Sequence, residues 1–302
     1  MKACNEVLEA GADLQSAVEK ARPGSVLCLA PGRYTAALRP PRSVELRATG
    51  DGVVLDAGDA GRVLQVSSDD LRVVLEGIRL TGGNAREGGA VEVSGFSEVV
   101  LRDCTLSGNR ARGAGGGALL ASAGRVRVQR CRIEANQGGA GSAILATQVA
   151  SVLLQDSLVD GTPGGEGAVV SVQDGAALEV LRSTVLAGRT GTAISACGTT
   201  SRSPEVTVSD SILQGRTSLE NDGLQPAKIR VQRSVLGGEV GGVEELDASV
   251  VRGDPRFAGS GPRPLGPAEG SPAIGLALGG GATDLTGRPR PDRQATAGAF
   301  ER

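Results

Sequence analysis

The sequence predicts an all-β solenoid, a single-stranded parallel β-helix of about 26 residues per coil with a short N-terminal capping helix. Three observations predict it. An aliphatic segment of eight residues returns seven times at nearly constant spacing. Glycine supplies 47 of 302 residues, roughly twice its average share, enough for tight bends in every repeat. Aromatic residues are nearly missing, with one Tyr, three Phe and no Trp, so Val, Leu, Ile and Ala must fill the core. A thin, regular interior suits that set better than an irregular globule.

The first element is the helix over Asp13–Arg22. Asp13 is its N-cap, Leu14, Ala17, Val18 and Ala21 form its apolar face, and Pro23-Gly24 stops it. It would plug the open N-terminal end of the solenoid. The repeats follow as Val73–Leu80, Val99–Leu106, Val126–Ile133, Val152–Val159, Leu178–Val185, Val206–Leu213 and Ile229–Leu236. Their small-residue column runs Ile78, Cys104, Cys131, Ser157, Ser183, Ser211, Ser234. A second strand recurs at Ala90-Val91, Ala118-Leu119, Ala143-Ile144, Ala168-Val169 and Ala193-Ile194. Each unit holds short period-2 strands between Gly-rich bends, with no room for a helix. Such strands bury a face only by stacking coil on coil, about 4.8 Å apart. Asn-Gly hairpin turns, which would mark a sandwich or propeller, are missing from the sequence. Residues 254–302 lose the repeat and hold seven of the fourteen prolines. The expected organisation is therefore a cap over 1–25, a β-helix over 26–253 and an extension over 254–302 that packs on the last coil or along one face.

Composition narrows the function. The net charge of −2 and the lack of aromatics interleaved with basic residues argue against nucleic-acid binding. The chain contains no His, which removes Ser-His-Asp and Cys-His mechanisms and His-ligated metals. No apolar run approaches the roughly 18 residues of a membrane span. The N-terminus MKACNEVLEAG shows no signal-peptide core.

At this point the residues resemble known families. Leu14-Gln-Ser-Ala-Val18, Arg22-Pro-Gly-Ser25 and Leu29-Ala-Pro-Gly-Arg-Tyr34 resemble the opening of pectin-lyase-like right-handed β-helices. Leu106-Ser-Gly-Asn109 with Gly116-Gly-Ala-Leu119 looks like the repeat of polymorphic outer-membrane proteins. The tail is similar to the end of bacterial choice-of-anchor Q proteins, through Asp254-Pro-Arg-Phe257, Ser271-Pro-Ala-Ile274, Asp284, Gly287-Arg-Pro289 and Gly298-Ala-Phe-Glu301. The resemblance, together with the general preference for right-handed crossovers, implies the right hand of the helix. It also implies a secreted or cell-envelope location, which would require a leader removed ahead of this sequence; the sequence leaves a cytoplasmic location open. Secreted relatives close a loop where Cys4 and Cys28 flank the helix, so that pair is the disulfide candidate. Cys104 and Cys131, on adjacent coils, are expected to stack as thiols, and Cys197 to lie in the core.

Several groups could carry function. The residue before the small one alternates in sign through Asp103, Arg130, Asp156, Arg182, Asp210 and Arg233. Interleaved cations disfavour a Ca²⁺ cluster there, and an ion-pair ladder explains the pattern more simply. Leu120, Leu145 and Val170 are expected to form an outward apolar stripe, covered either by the Pro-rich tail or by a partner. Lys228 and Arg230, after Asn221-Asp222, lie where the spacing breaks and are the weak candidates for a lyase base, with Asp222 beside them. Polygalacturonase chemistry, which in that family needs a Gly-His-Gly segment, is ruled out by the missing His. The outward column Arg79, Thr105, Arg132, Leu158, Thr184, Ile212, Val235 is not the Thr array that ice binding needs. The leading expectation is a non-catalytic scaffold without cofactor or metal, binding a surface protein or acidic polysaccharide, or self-associating. The alternative is a polysaccharide lyase acting on an acidic glycan by β-elimination, for which Ca²⁺ would be a possible cofactor.

Overall fold

Three parallel sheets wind into one solenoid. The computed structural model describes residues 2–113, 115–162, 167–198, 202–221, 223–243, 246–259, 265–278 and 283–301. Sheet A runs from the Glu6–Leu8 strand to the Lys228–Gln232 strand, sheet B from Gly32–Thr35 to Val251–Arg252, and sheet C from Leu64–Val66 to Glu239–Gly241. Each strand pairs in register with the strand one coil before and one coil after, as with Val73, Val99, Val126, Val152, Leu178, Val206 and Ile229. These and the parallel columns of sheets B and C form one continuous aliphatic core.

The helix α1 spans Leu14–Lys20, with the Asp13 side chain accepting from the Ser16 N–H at its N-cap. Leu14 and Val18 are fully buried over the first coil. The cap also contributes the first strand of sheet A, Glu6–Leu8, beside Ser25–Leu29. The Cys4–Cys28 disulfide ties these strands together, with Cα atoms 5.7 Å apart.

The bend from sheet A to sheet B turns on one left-handed residue per coil. Gly77, Asp103, Arg130, Asp156, Arg182, Asp210 and Arg233 have φ between +44° and +73°. Glycine is the usual answer to that geometry, yet six of these seven positions hold Asp or Arg. The next residue explains the small-residue column. Its side chain points inward and takes the N–H of the coil below: Cys131 Sγ from Cys104, then Ser157, Ser183, Ser211 and Ser234 hydroxyls from Cys131, Ser157, Ser183 and Ser211, at 3.1–3.3 Å. From Cys131 upward an apolar replacement would leave a buried N–H unpaired, whereas Ile78, at the head of the column, shows that the first bend accepts a larger apolar side chain.

The tail lies along the outer face of sheet B. Ala273, Ala277, Ala295 and Ala297 pack on Ile212 and Val235, and Ala299 and Phe300 pack on Leu158 and Leu186. The Phe300 ring ends under the Arg132 guanidinium, 5.6 Å away.

Two expectations are corrected. Val170 does not join the outer stripe. It pairs with Ile144 and Ile194 in the core column and is fully buried, while Ser171 takes the outward place beside Leu145 and Ser195. The reason is a one-residue slip: Val169, not Ala168, follows Ala143, and a slip of one reverses the face of every side chain. Cys197, aligned with Gln173 one residue past the inward Ala196, lies partly exposed on the outer side of sheet C rather than in the core.

Candidate functional site

Leu120 and Leu145 do face outward on sheet C, beside Glu92, but they are only 5% and 6% exposed. The Gly-rich connections from sheet B fold back over them. A Cβ on Gly88 would stand 2.9 Å from Leu120 Cβ, and one on Gly116 would stand 2.6 Å from Leu145 N. Neither the tail nor an open surface accounts for this stripe. It is covered by loops whose glycines permit the close approach, so Leu120, Leu145 and Val170 offer no binding face.

The charged bend residues pair two by two rather than as a continuous ladder. Arg130 binds Asp103 through two bonds of 2.7 Å, Arg182 binds Asp156 at 2.9 and 3.1 Å, and Arg233 binds Asp210 at 2.7 and 3.2 Å. Their hydrogen bonds to the aspartates raise Arg130 and Arg233 above the ordinary guanidinium range. Not all of the pairs are exposed, as the sequence alone suggests. Asp156 and Asp210 are 3% exposed because the tail seals them. Arg290, fully buried, reaches Asp156 at 3.3 Å and Glu301 at 3.3 Å, and donates to the carbonyls of Thr296 and Gly298. The Asp210 side chain and backbone accept from Leu278 and Gly298. The upper half of this column is thus a docking strip for the tail.

Lys228 and Arg230 project from the last strand of sheet A but do not converge. Lys228 Nζ sits 3.0 Å from Glu205 in a shallow depression of about 320 Å³ with Gly175, Ala177, Arg202 and Ser203. Arg230 lines a separate cavity of about 480 Å³ with Thr207, Gln232, Leu246 and Asp247. The Ser249 hydroxyl and N–H hold the Asp247 carboxyl below its usual range, with Arg233 adding to the effect. Asn221 is spent on backbone groups, donating to Gly242 O of the next coil and accepting from the Ala227 N–H. Asp222 lies outside the described residues. Among the described residues, no three Asp, Glu or Cys side chains gather as metal ligands would.

A basic face absent from the sequence reading stands on the outer side of sheet A. Glu98 is bridged by Arg72 and Arg127, each at 2.9 Å, and Glu76 lies between Arg47 and Arg102 at 3.8 and 4.0 Å. The cations stand proud: Arg72 and Arg127 are 52% and 53% exposed, whereas Glu98 is 23% exposed. Register sets this array, because Arg72, Glu98 and Arg125 share one column and Val100 and Arg127 the next. The period-2 arginines of Arg125-Val-Arg127 were its signal in the sequence.

No family model matches the chain, and no curated protein is recognisably similar to it. Solved structures do match. Pectate lyase Pel9A is 14% identical with a TM-score of 0.56, over 99% of this chain and 97% of that one. Pectin methylesterase PemA from Erwinia chrysanthemi is 11% identical with a TM-score of 0.48, over 83% and 93%. An alginate lyase from Paenibacillus sp. str. FPU-7 is 13% identical with a TM-score of 0.47, over 81% and 100%. The chain has the right-handed parallel β-helix fold of pectate lyase. At such identities the likeness is one of architecture, and function has to come from the site.

Proposed function

We propose that this protein is a non-catalytic, secreted or surface-displayed scaffold that binds an acidic polysaccharide on the arginine face of sheet A. The observation that carries the reading is the height difference on that face: guanidinium groups of Arg72, Arg102 and Arg127 reach solvent above carboxylates sunk between them. Guanidinium forks suit carboxylate and sulfate groups, and successive coils repeat the cations along the axis at about 4.8 Å. The Cys4–Cys28 disulfide supports an oxidising compartment. The separation of Lys228 from Arg230, and the tie of Lys228 to Glu205, favour binding over elimination.

Titration of polygalacturonate, alginate and a sulfated glycan by calorimetry tests it. Binding that weakens with salt, and weakens at least tenfold in Arg102→Gln/Arg127→Gln, is the expected result. No binding by any of the three polymers would overturn it. The second reading, a lyase, draws on Arg230 facing a cavity opposite Asp247. It requires unsaturated uronate absorbance to rise, with or without added Ca²⁺, and to disappear in Arg230→Ala.

A further inference from the structure

The connections from sheet C to sheet A line one corner of the solenoid, and this corner carries exposed apolar groups. Among the described residues six large apolar side chains are more than a third exposed, and three of them stand here: Phe96 at 71%, Val149 at 41% and Leu224 at 88%. In a chain with three Phe, the other two serve tail docking, whereas Phe96 is presented at a loop tip. Its N–H is held by the Asp69 carboxylate of the preceding coil at 3.0 Å. Val149 is presented at a cost. Gln148 and Val149 have φ of +51° and +60°, in a turn closed by the Ala150 N–H to Thr147 O bond. A β-branched residue is a genuine outlier in that conformation, and such outliers point to function when the side chain is also exposed.

The occupant follows from the charges beside the corner. From Glu98, one coil past Arg72, the first outer column of sheet A reads Glu98, Arg125, Ser151, Ala177, Glu205, Lys228 through successive coils. Read backwards, this six-coil stretch is its own complement: Glu98 meets Lys228, Arg125 meets Glu205, and Ser151 meets Ala177. The apolar residues obey the same reversal, because Phe96 precedes Glu98 and Leu224 precedes Lys228 on their own coils. Five coil rises, about 24 Å, separate the ends of this pattern. Arg125, exposed and without an ion-pair partner among the described residues, would gain one.

We infer that a second copy of this chain docks along this corner, antiparallel, about a two-fold axis perpendicular to the solenoid between the Ser151 and Ala177 coils. Phe96 of one copy then covers Leu224 of the other, Val149 packs against Gly175 across the axis, and four ion pairs flank them. The operation closes, so the product is a dimer and not a fibre. The arginines assigned to glycan binding, Arg72, Arg102 and Arg127, lie outside the matched pairs, Arg72 and Arg127 touching only Glu98 among them.

Sedimentation velocity on the full chain without glycan tests the inference separately from the binding reading. The expected mass is twice 30.3 kDa at tens of micromolar. Phe96→Ser should raise the dimer dissociation constant by roughly tenfold or more. Arg125→Glu should do the same, and adding Glu205→Arg in the same chain should recover the dimer. Geometry is read with a short bismaleimide: a mixture of Ser151→Cys and Ala177→Cys chains should cross-link more than either variant alone. A monomer at all concentrations overturns the inference. So does a dimer that is indifferent to Phe96→Ser and gives no extra cross-link in the mixture.

Discussion

Replacing Arg290 by Met removes the guanidinium that joins the tail to the solenoid. The native side chain is fully buried and holds Asp156, Glu301 and two backbone carbonyls. Met keeps most of the volume, so the loss is mainly electrostatic. Breaking a buried pair by removing one partner costs about 3–5 kcal/mol, because the remaining charge is left in low dielectric. Asp156 retains Arg182 at 2.9 Å, so the lower end of that range applies. About 3 kcal/mol corresponds to a shift of about a hundredfold in the ratio of docked to undocked tail. The solenoid keeps its own ladders, so far-ultraviolet circular dichroism should not change. The assay is limited proteolysis with a trypsin-like enzyme, scored at the Arg293-Gln294 bond because Arg288 and Arg290 both precede Pro, under conditions where cleavage tracks the open population. Hydrogen exchange at Gly298 and Ala299, whose N–H groups bond Asp210 O and Thr184 Oγ1, should accelerate in parallel. If cleavage and exchange stay near wild type while the variant is folded, the Arg290 network does not hold the tail and the argument fails.

Acidification should loosen the same tail. Burial pushes the Asp284 carboxyl up, but the Glu301, Arg288 and Thr286 N–H groups and the Thr286 hydroxyl outweigh it, leaving the group below its ordinary 3.8. A folded-state value below the unfolded one gives stability that is present above pH 3.8 and lost as pH falls through the lower folded value; Asp284→Asn should flatten that acid limb of tail protection. Cys104 and Cys131 should resist Ellman's reagent until the protein unfolds, since burial pushes the Cys131 thiol well up and its Cys104 neighbour adds to this; rapid native labelling at both would refute the stacked-thiol column. Replacing Cys4 and Cys28 by Ser should lower the stability of the N-terminal cap by about 3 kcal/mol, measured as earlier thermal loss of protection in α1. Val149→Gly should raise monomer stability by about 1 kcal/mol while weakening self-association; a stability loss would show the left-handed turn to be unstrained.

The repeating part of the fold was legible because its determinants are local and periodic. The column from Cys104 to Ser234 could be read from spacing alone, since each small residue answers a bend in its own coil. The Asp13 cap and the Leu14 and Val18 face were legible for the same reason. The slip at Val170 shows where the method thins: Ala168-Val169-Val170 offers two registers with equal hydrophobicity, and only pairing with Ile194 decides between them. Burial of Leu120 and Leu145 was hidden for another reason. The glycines that cover them come from the loop of the preceding coil, and no period announces that such a loop turns back. Docking of the tail was least legible, because Arg290 and Asp156 meet across 134 positions and neither belongs to a local pattern.

The alternating charges on the sheet A to sheet B bend have a physical reason that joins fold to tail. A left-handed residue whose side chain leaves the core must be polar, and identical charges one coil apart would repel at about 4.8 Å. Alternation of Asp and Arg removes the repulsion and gives each aspartate an arginine from the next coil. The same pattern leaves each aspartate with spare lone pairs, since the carboxylate accepts more bonds than one guanidinium supplies. In the lower coils water can take them, as at Asp103, whose side chain is 44% exposed. In the upper coils the tail replaces the water: Arg290 forms an ion pair with Asp156, and the Leu278 N–H donates to Asp210. The seam is therefore exposed where it only joins coils and sealed where it also receives the tail. Because Asp156 serves both Arg182 and Arg290, Asp156→Asn should impair the bend pair and tail docking together, whereas Asp103→Asn should leave proteolysis of the tail unchanged. Equal tail release by both substitutions would show that the seam acts through the solenoid as a whole rather than through these contacts.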